Sequence, residues 1–320
     1  RISPGVDPAA EVKAAFLGDL VKGKLKSPLI DKKQAVELLG TMGGGYNVPP
    51  LVAALTVKGL DELAAKALSG IIYVYDAFDE VAALARAKNA AARKVLESWA
   101  QAEWFTGKKS VPETITVKVF RVDGEINTDD FSPAGDAATR PDIPLHALAM
   151  GKTKFPAGLA TIAEYRAAGF EVAFVGDVVG TGSSRKSACN SVQWAIGEDI
   201  PFVPNKRRGG VIIGGVIAPI FFNTAEDSGA LPIKADVSRL KLGDVVIVDT
   251  KQGQLRGEAG EVLSTFALSP DSIRDEFQAG GRIPLIIGRA LTERARKALK
   301  KGPTSLFVVK SNPAPKKGQG

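Results

Sequence analysis

Gly180-Thr181-Gly182-Ser183-Ser184-Arg185 follows an apolar run, Val172 to Val175 and then Val178-Val179, and leads into a segment, Ser187 to Ile196, that can be helical. The pattern is a strand, a glycine turn and a helix start. Glycines let the backbone come close to a ligand, and the first N–H groups of a helix are unpaired and partly positive. Arginine adds a planar fork that takes a carboxylate through two parallel hydrogen bonds. The implied chemistry is carboxylate binding. The same residues also suit a plain turn, with Ser183 or Ser184 capping the helix and Arg185 a solvated charge. Upstream, Asn127-Thr128-Asp129-Asp130-Phe131-Ser132-Pro133-Ala134-Gly135 is dense in short acceptors and reaches Arg140, a second isolated arginine beside a strand end. Its plainer role is a surface ion pair with Asp136 or Asp142. His146, the sole histidine, lies in the apolar run Ile143 to Met150, where packing or capping is the better reading than catalysis.

The elements that must hold these residues can be read from periodicity. Residues 1 to 111 are predicted almost wholly helical, with apolar positions at Val12, Ala15, Phe16 and Leu20, then Ala35, Leu38 and Leu39, then Leu51, Ala54 and Leu55. Leu60 to Leu68, Ile71 to Leu84 and Ala90 to Phe105 supply further helices. Short helices on short loops without a sustained heptad suggest stacked antiparallel pairs, solenoid-like in packing. Thr106 to Pro112 is the expected boundary. Beyond it the period becomes two at Ile115, Val117 and Val119, and residues 112 to 300 read as an α/β domain. Its predicted strands include Val211 to Ile217, Val245 to Val248, Leu263 to Leu268 and Ile283 to Ile287, with helices at Pro144 to Met150, Ala160 to Ala168, Phe221 to Asp227 and Thr292 to Lys300. Residues 301 to 320 turn to Lys, Pro, Gly, Ser and Asn, the composition of a linker.

The bulk properties narrow the partners. The chain has 320 residues, 45% hydrophobic and 24% charged, for which two domains are the prior expectation. A net charge of +7 favours an anionic partner, whether nucleic acid, a membrane surface or a polycarboxylate. A single cysteine, Cys189, allows neither an internal disulfide nor a cysteine cluster for zinc or iron–sulfur ligation. No apolar run reaches the roughly 18 residues that span a bilayer, and no signal-peptide pattern opens the chain, so no membrane partner and a cytoplasmic location are expected. A start at Arg1 and an end in linker composition suggest a trimmed chain with more protein beyond it.

Asn127 to Ala134 followed by Arg140, and Gly180 to Arg185, resemble the two signature loops of the aconitase swivel domain. Leu39 to Met42, Gly44 to Asn47 and Arg140 to Leu148 are similar to the B-type branch of the aconitase family in particular. The resemblance implies an all-α HEAT-like domain (1–111), an α/β swivelling domain (112–300) and a linker (301–320) to absent catalytic domains. It implies a hydro-lyase interconverting citrate and isocitrate through cis-aconitate, with substrates of the 2-methylisocitrate type using the same arginines. By position, Ser183 matches the serine base, and Ser184, Arg185 and Arg140 match substrate-binding residues. Asp129 matches an acidic residue near the site. A 4Fe–4S cluster is implied for the full-length enzyme, with no ligand in this chain, so that the chain alone is expected to be inactive. Homodimerisation through the helical region and messenger-RNA binding in the cluster-free form are further implications. The alternatives are a protein like the small subunit of isopropylmalate isomerase, against which the long helical half argues, and an RNA- or protein-interaction module.

Overall fold

The computed structural model describes residues 8–140, 142–183 and 185–307, the side chains of Pro8 and Arg185 excepted. Most of the expected linker, from residue 308 on, lies outside the described residues. The chain divides into two compact units. Among the described residues, one runs up to Lys108 and takes in Ile286–Ser305; the other is Lys109–Leu285 with Leu306 and Phe307.

The first unit is built from α1 (Pro8–Lys22), α2 (Lys32–Gly40), α3 (Val48–Ala54), α4 (Asp61–Ser69), α5 (Ala77–Arg86), α6 (Ala90–Gln101) and α7 (Glu103–Thr106). Of the expected apolar positions of α1, Leu20 is buried and Val12, Ala15 and Phe16 are not. Val12 and Phe16 are exposed at 69% and 43%, while Ala14, Leu17 and Val21 point inward. Gly18 is where α1 meets α3 closely: a Cβ there would stand 3.1 Å from the Pro50 ring. The helix expected from Ile71 starts only at Ala77. Asn89 joins two helices: its Oδ1 accepts from Ala92 N–H at 2.8 Å to cap α6, and its amide donates to Leu55 O at 2.9 Å. Trp99 is fully buried and donates to Leu68 O at 3.0 Å.

Residues 286–305 belong here because of Trp104. Its indole N–H donates to Thr292 Oγ1 at 3.0 Å, and its ring occupies the space a side chain at Gly288 would need, 2.3 Å from an ideal Cβ. Arg294 stacks over Phe78 at 4.2 Å and pairs with Asp79 at 2.8 Å.

The second unit comprises β1 (Thr114–Asn127), α8 (Thr128–Phe131), α9 (Ile143–Ala147), α10 (Gly158–Ala167), β2 (Glu171–Thr181), α11 (Arg185–Ile196), β3 (Glu198–Ile200), β4 (Val203–Arg208), β5 (Val211–Ile217), α12 (Pro219–Asp227), β6 (Leu231–Lys234), β7 (Val245–Asp249), β8 (Gln254–Gly257), β9 (Val262–Thr265) and α13 (Ile273–Ala279). The seven-stranded sheet has the order β6-β5-β2-β1-β7-β8-β9. Its β6-β5-β2-β1 half is parallel and its β7-β8-β9 end antiparallel. Register puts Phe120, Phe174 and Ile212 in one row and Val119, Ala173 and Val211 in the next. The first row packs under α10, α11 and α12 in a core with Phe131, Cys189, Val192 and Phe221. The second packs with Val246, Val248, Leu255 and Ile273 on the other face. Burial on both faces explains the unbroken apolar runs of β2 and β5.

The segment Ile283 to Ile287, expected as a strand, is instead the start of helix α14 (Arg282–Ala298). Pro284 has no N–H to lose in a first helical turn, and Ile283 and Ile286 are exposed while Leu285 is buried, which no strand alternation would produce.

Gly288→Ala forces a methyl into the Trp104 ring, and overpacking of this kind costs about 1–3 kcal/mol. Urea unfolding of the variant shows that loss; unchanged stability would mean that the Trp104 seat yields freely.

Candidate functional site

The two sequence-predicted loops leave the sheet side by side because β1 and β2 are parallel neighbours. Their pairing continues through Ile126↔Val179 to Asn127↔Thr181, so both loops emerge at the same strand ends. A bulge between Val122 and Glu125 interrupts the ladder just before this point. Asp177 spans it, accepting from Gly124 N–H at 2.8 Å and from Arg121 Nη2 at 2.7 Å, while Arg121 Nη1 donates to Val237 O at 2.6 Å.

The first loop opens with a capping box. Asn127 Oδ1 accepts from the N–H groups of Asp129 and Asp130 at 2.8 and 2.9 Å, and Asp130 Oδ2 accepts from Asn127 N–H at 2.9 Å. Asn127 and Asp130 are thus used to turn the chain, leaving the Asp129 carboxylate outside the cap on an exposed residue. Phe131 anchors the turn. It is fully buried, with its ring 5.0 Å from Phe174 and 5.6 Å from Phe221.

The second loop is shaped by two glycines. Gly180 has φ +81 and a Cβ there would stand 2.2 Å from the Phe221 ring; Gly182 has φ +97 and a Cβ there would stand 2.7 Å from Thr128 Oγ1. A side chain at either position is excluded by conformation and by space, and the Gly182 contact is the direct junction of the two loops. Thr181 Oγ1, between them, donates to Glu125 Oε1 of β1 at 2.7 Å. Ser183 follows on an exposed position two residues before α11. Ser184 lies outside the described residues, and Arg185 is the first residue of α11. No acidic residue stands in the first turn of α11.

Arg140 precedes α9, which packs on α11. Its Nη1 donates to Leu145 O at 3.2 Å, and its Nε lies 3.7 Å from Asp136 Oδ1, the ion pair that the plainer reading anticipated. Asp136 is shared with Lys152, whose hydrogen bond chiefly holds its carboxyl below the usual carboxylate range. Arg140 therefore keeps donors beyond a weak, shared partner.

His146 is buried and structural. Its Nδ1 lies 3.3 Å from Arg140 O and its Nε2 lies 2.7 Å from Ser132 Oγ. A carbonyl can only accept, so Nδ1 carries the proton and Nε2 accepts from the Ser132 hydroxyl. Ser132 is 1% exposed. The pair fastens the Arg140 backbone to the base of the first loop. The contributions of Ser132, Glu125 and Asp177 have no signature in the sequence, because each depends on a partner that only the β1–β2 pairing or the loop closure brings near.

Residues 117–320 match the family model described as the aconitate hydratase 2 N-terminus, and residues 1–105 match the aconitate B N-terminal domain. The chain is 58% identical over 316 residues to aconitate hydratase B of Synechocystis sp., covering 98% of this chain and 36% of that protein. It is 56% identical over 310 residues to aconitate hydratase B of Escherichia coli, covering 93% of this chain and 36% of that protein. A solved 3-isopropylmalate dehydratase from Methanocaldococcus jannaschii is similar at a TM-score of 0.43 and 20% identity, over 57% of this chain and 99% of that one, a likeness too low to carry an argument. The chain spans about a third of the length of the curated relatives it matches. With two family models covering all of it but residues 106–116 and more than half of its residues shared with those relatives, the chain belongs to the aconitate hydratase B family.

Proposed function

We propose that this chain forms one wall of the active site of a hydro-lyase that interconverts citrate and isocitrate through cis-aconitate, its catalytic domains lying in sequence beyond the chain. In this reading Ser183 is the base that takes the C–H proton, Arg140, Ser184 and Arg185 hold substrate carboxylates, and Asp129 supports them. The observation that carries it is the pairing of Asn127 with Thr181 and the contact of Gly182 with Thr128, which bring the two signature loops together. A serine acts as a base only where its oxyanion meets N–H donors and cations away from water. The glycine turn and the start of α11 supply donors; the shielding of exposed Ser183 falls to the domains that close over it. Separate arginines on the two loops suit a substrate with several carboxylates. The helical unit is read as a HEAT-like layer for self-association, the sheet unit as the swivel domain, and the whole as cytoplasmic.

The family implies a 4Fe–4S cluster, and the residues of this chain do not fit one. Cys189 is fully buried between α11 and the sheet, 3.4 Å from Ser228 Oγ, and burial pushes its thiol up to about 11, opposite to the thiolate a cluster requires. Among the described residues no three His, Cys, Asp or Glu side chains are grouped to hold a metal ion. The cluster's ligands are therefore assigned to the part of the enzyme outside this chain.

In the full-length enzyme, Ser183→Ala lowers kcat for cis-aconitate hydration by about 10²–10⁴-fold with KM nearly unchanged, the range for loss of a general base; a kcat equal to the parent's removes Ser183 from the chemistry. Ser132→Ala leaves His146 Nε2 without its donor, which costs about 1–3 kcal/mol for a buried group. The same variant raises KM through the loosened Arg140, and a stability loss with unaltered KM would show that the Ser132–His146 pair does not position that arginine. Finally, because the thiolate form is suppressed, Cys189 resists iodoacetamide at pH 8 in the folded chain and is alkylated at once in urea, as mass spectrometry would show; rapid labelling of folded protein contradicts its burial.

A further inference from the structure

At the opposite end of the parallel strands, where β1, β2 and β5 begin, lies a cavity of about 300 Å3 that none of the chemistry above uses. Its apolar wall includes Ile115, Phe170, Val172, Ile196, Val211 and Phe277, and its cations are Lys109 and Arg166. The volume is at the lower end of small-molecule sites, and the lining mixes its apolar wall with four charged side chains, Lys109, Arg166, Glu171 and Glu198.

The charges around it are sorted unevenly. Glu198, on the rim, faces Lys109 at 3.6 Å. Asp199 is drawn to Arg207 at 2.7 Å, and Arg207 in turn stacks over Trp194 at 4.5 Å. Glu171, also on the rim, is exposed. Arg166, at the end of α10, is left half-buried with no carboxylate within 4 Å and no hydrogen-bond acceptor among the described residues. Burial, and next the Arg207 guanidinium, pull its pKa down from the usual arginine value. A partly desolvated guanidinium without a partner is unfavourable, and a bound carboxylate would relieve it through two parallel hydrogen bonds.

We propose that this cavity is a binding site for a small organic monocarboxylate, with the Arg166 guanidinium clasping the carboxylate and the apolar wall receiving the rest of the molecule. Glu171 and Glu198 on the rim oppose a more highly charged ligand, so a phosphate or a tricarboxylate fits less well than a monoanion with an apolar body.

Benzoate is the probe, titrated calorimetrically into the 320-residue chain. One saturable site with millimolar or tighter affinity is expected, weakened at least about tenfold in Arg166→Gln, the scale of one charge-assisted contact. Arg166→Lys, which keeps the charge but not the planar fork, weakens it as well. Absence of saturable binding by the parent chain, or parent-like affinity in Arg166→Lys, overturns the proposal. So does displacement of benzoate by an equal concentration of inorganic phosphate. If Arg166→Gln fails to fold by circular dichroism, the lysine variant and the phosphate competition decide the matter.

Discussion

Everything at the candidate site depends on two strands ending together. β1 and β2 are separated in sequence by two short helices and α10, yet their parallel pairing runs to Asn127↔Thr181, the last residue of each. A slip of one residue would reverse which side chains face α11 and would withdraw one loop from the other. The register is held from both sides of the sheet: by the Phe120, Phe174 and Ile212 row beneath the helices, and by the Val119, Ala173 and Val211 row on the other face. Phe131 and Phe221 extend the first row into the loops themselves, one as the anchor of α8 and the other as the floor under Gly180. Hydrophobic packing is non-directional, but here it acts through rings that fit only in one arrangement, and so fixes where polar groups stand.

Many of the polar groups near the loops are consumed by the fold. Asn127 and Asp130 satisfy each other's backbone, Asp177 closes the bulge with Arg121, Ser132 and His146 secure the Arg140 carbonyl, and Thr181 is tied to Glu125. Each of these removes an acceptor or donor that would otherwise compete at the site. The helix start at Arg185 carries no acidic residue in its first turn, which suits it to an anion.

How far this could be read from sequence depended on whether the signal was local. The β2 run, the glycine turn and the start of α11 were legible because strand, turn and helix each leave a pattern within a few residues, and both loops were found with them. The α1 face was legible only at Leu20, because which apolar residues of a helix are buried is set by contacts with distant residues, such as Gly18 against Pro50, that leave no local pattern. Ile283 to Ile287 misled because a short β-branched run suits a buried strand and a helix equally, and Trp104, which seats Gly288 and Thr292, lies far upstream. Short side chains were misread for the same reason. Ser132 looked like one polar residue among several, and only the fold shows it buried against the single histidine.

The arrangement also explains why the proposed chemistry would need more than this chain. An exposed serine beside solvent keeps an ordinary hydroxyl, because water screens the field of nearby donors and cations. In the proposed reading the same serine would become a base once water is displaced, since a lower dielectric strengthens its interactions with nearby donors and cations at once. The chain supplies donors on a rigid frame and leaves the opposite side open, while its only thiol is sealed in the core and unsuited to a metal. On that reading the parts are complementary by necessity: this chain would orient an anion and accept its proton, and the electrophile that draws off the leaving hydroxyl would come from the domains that close over Ser183.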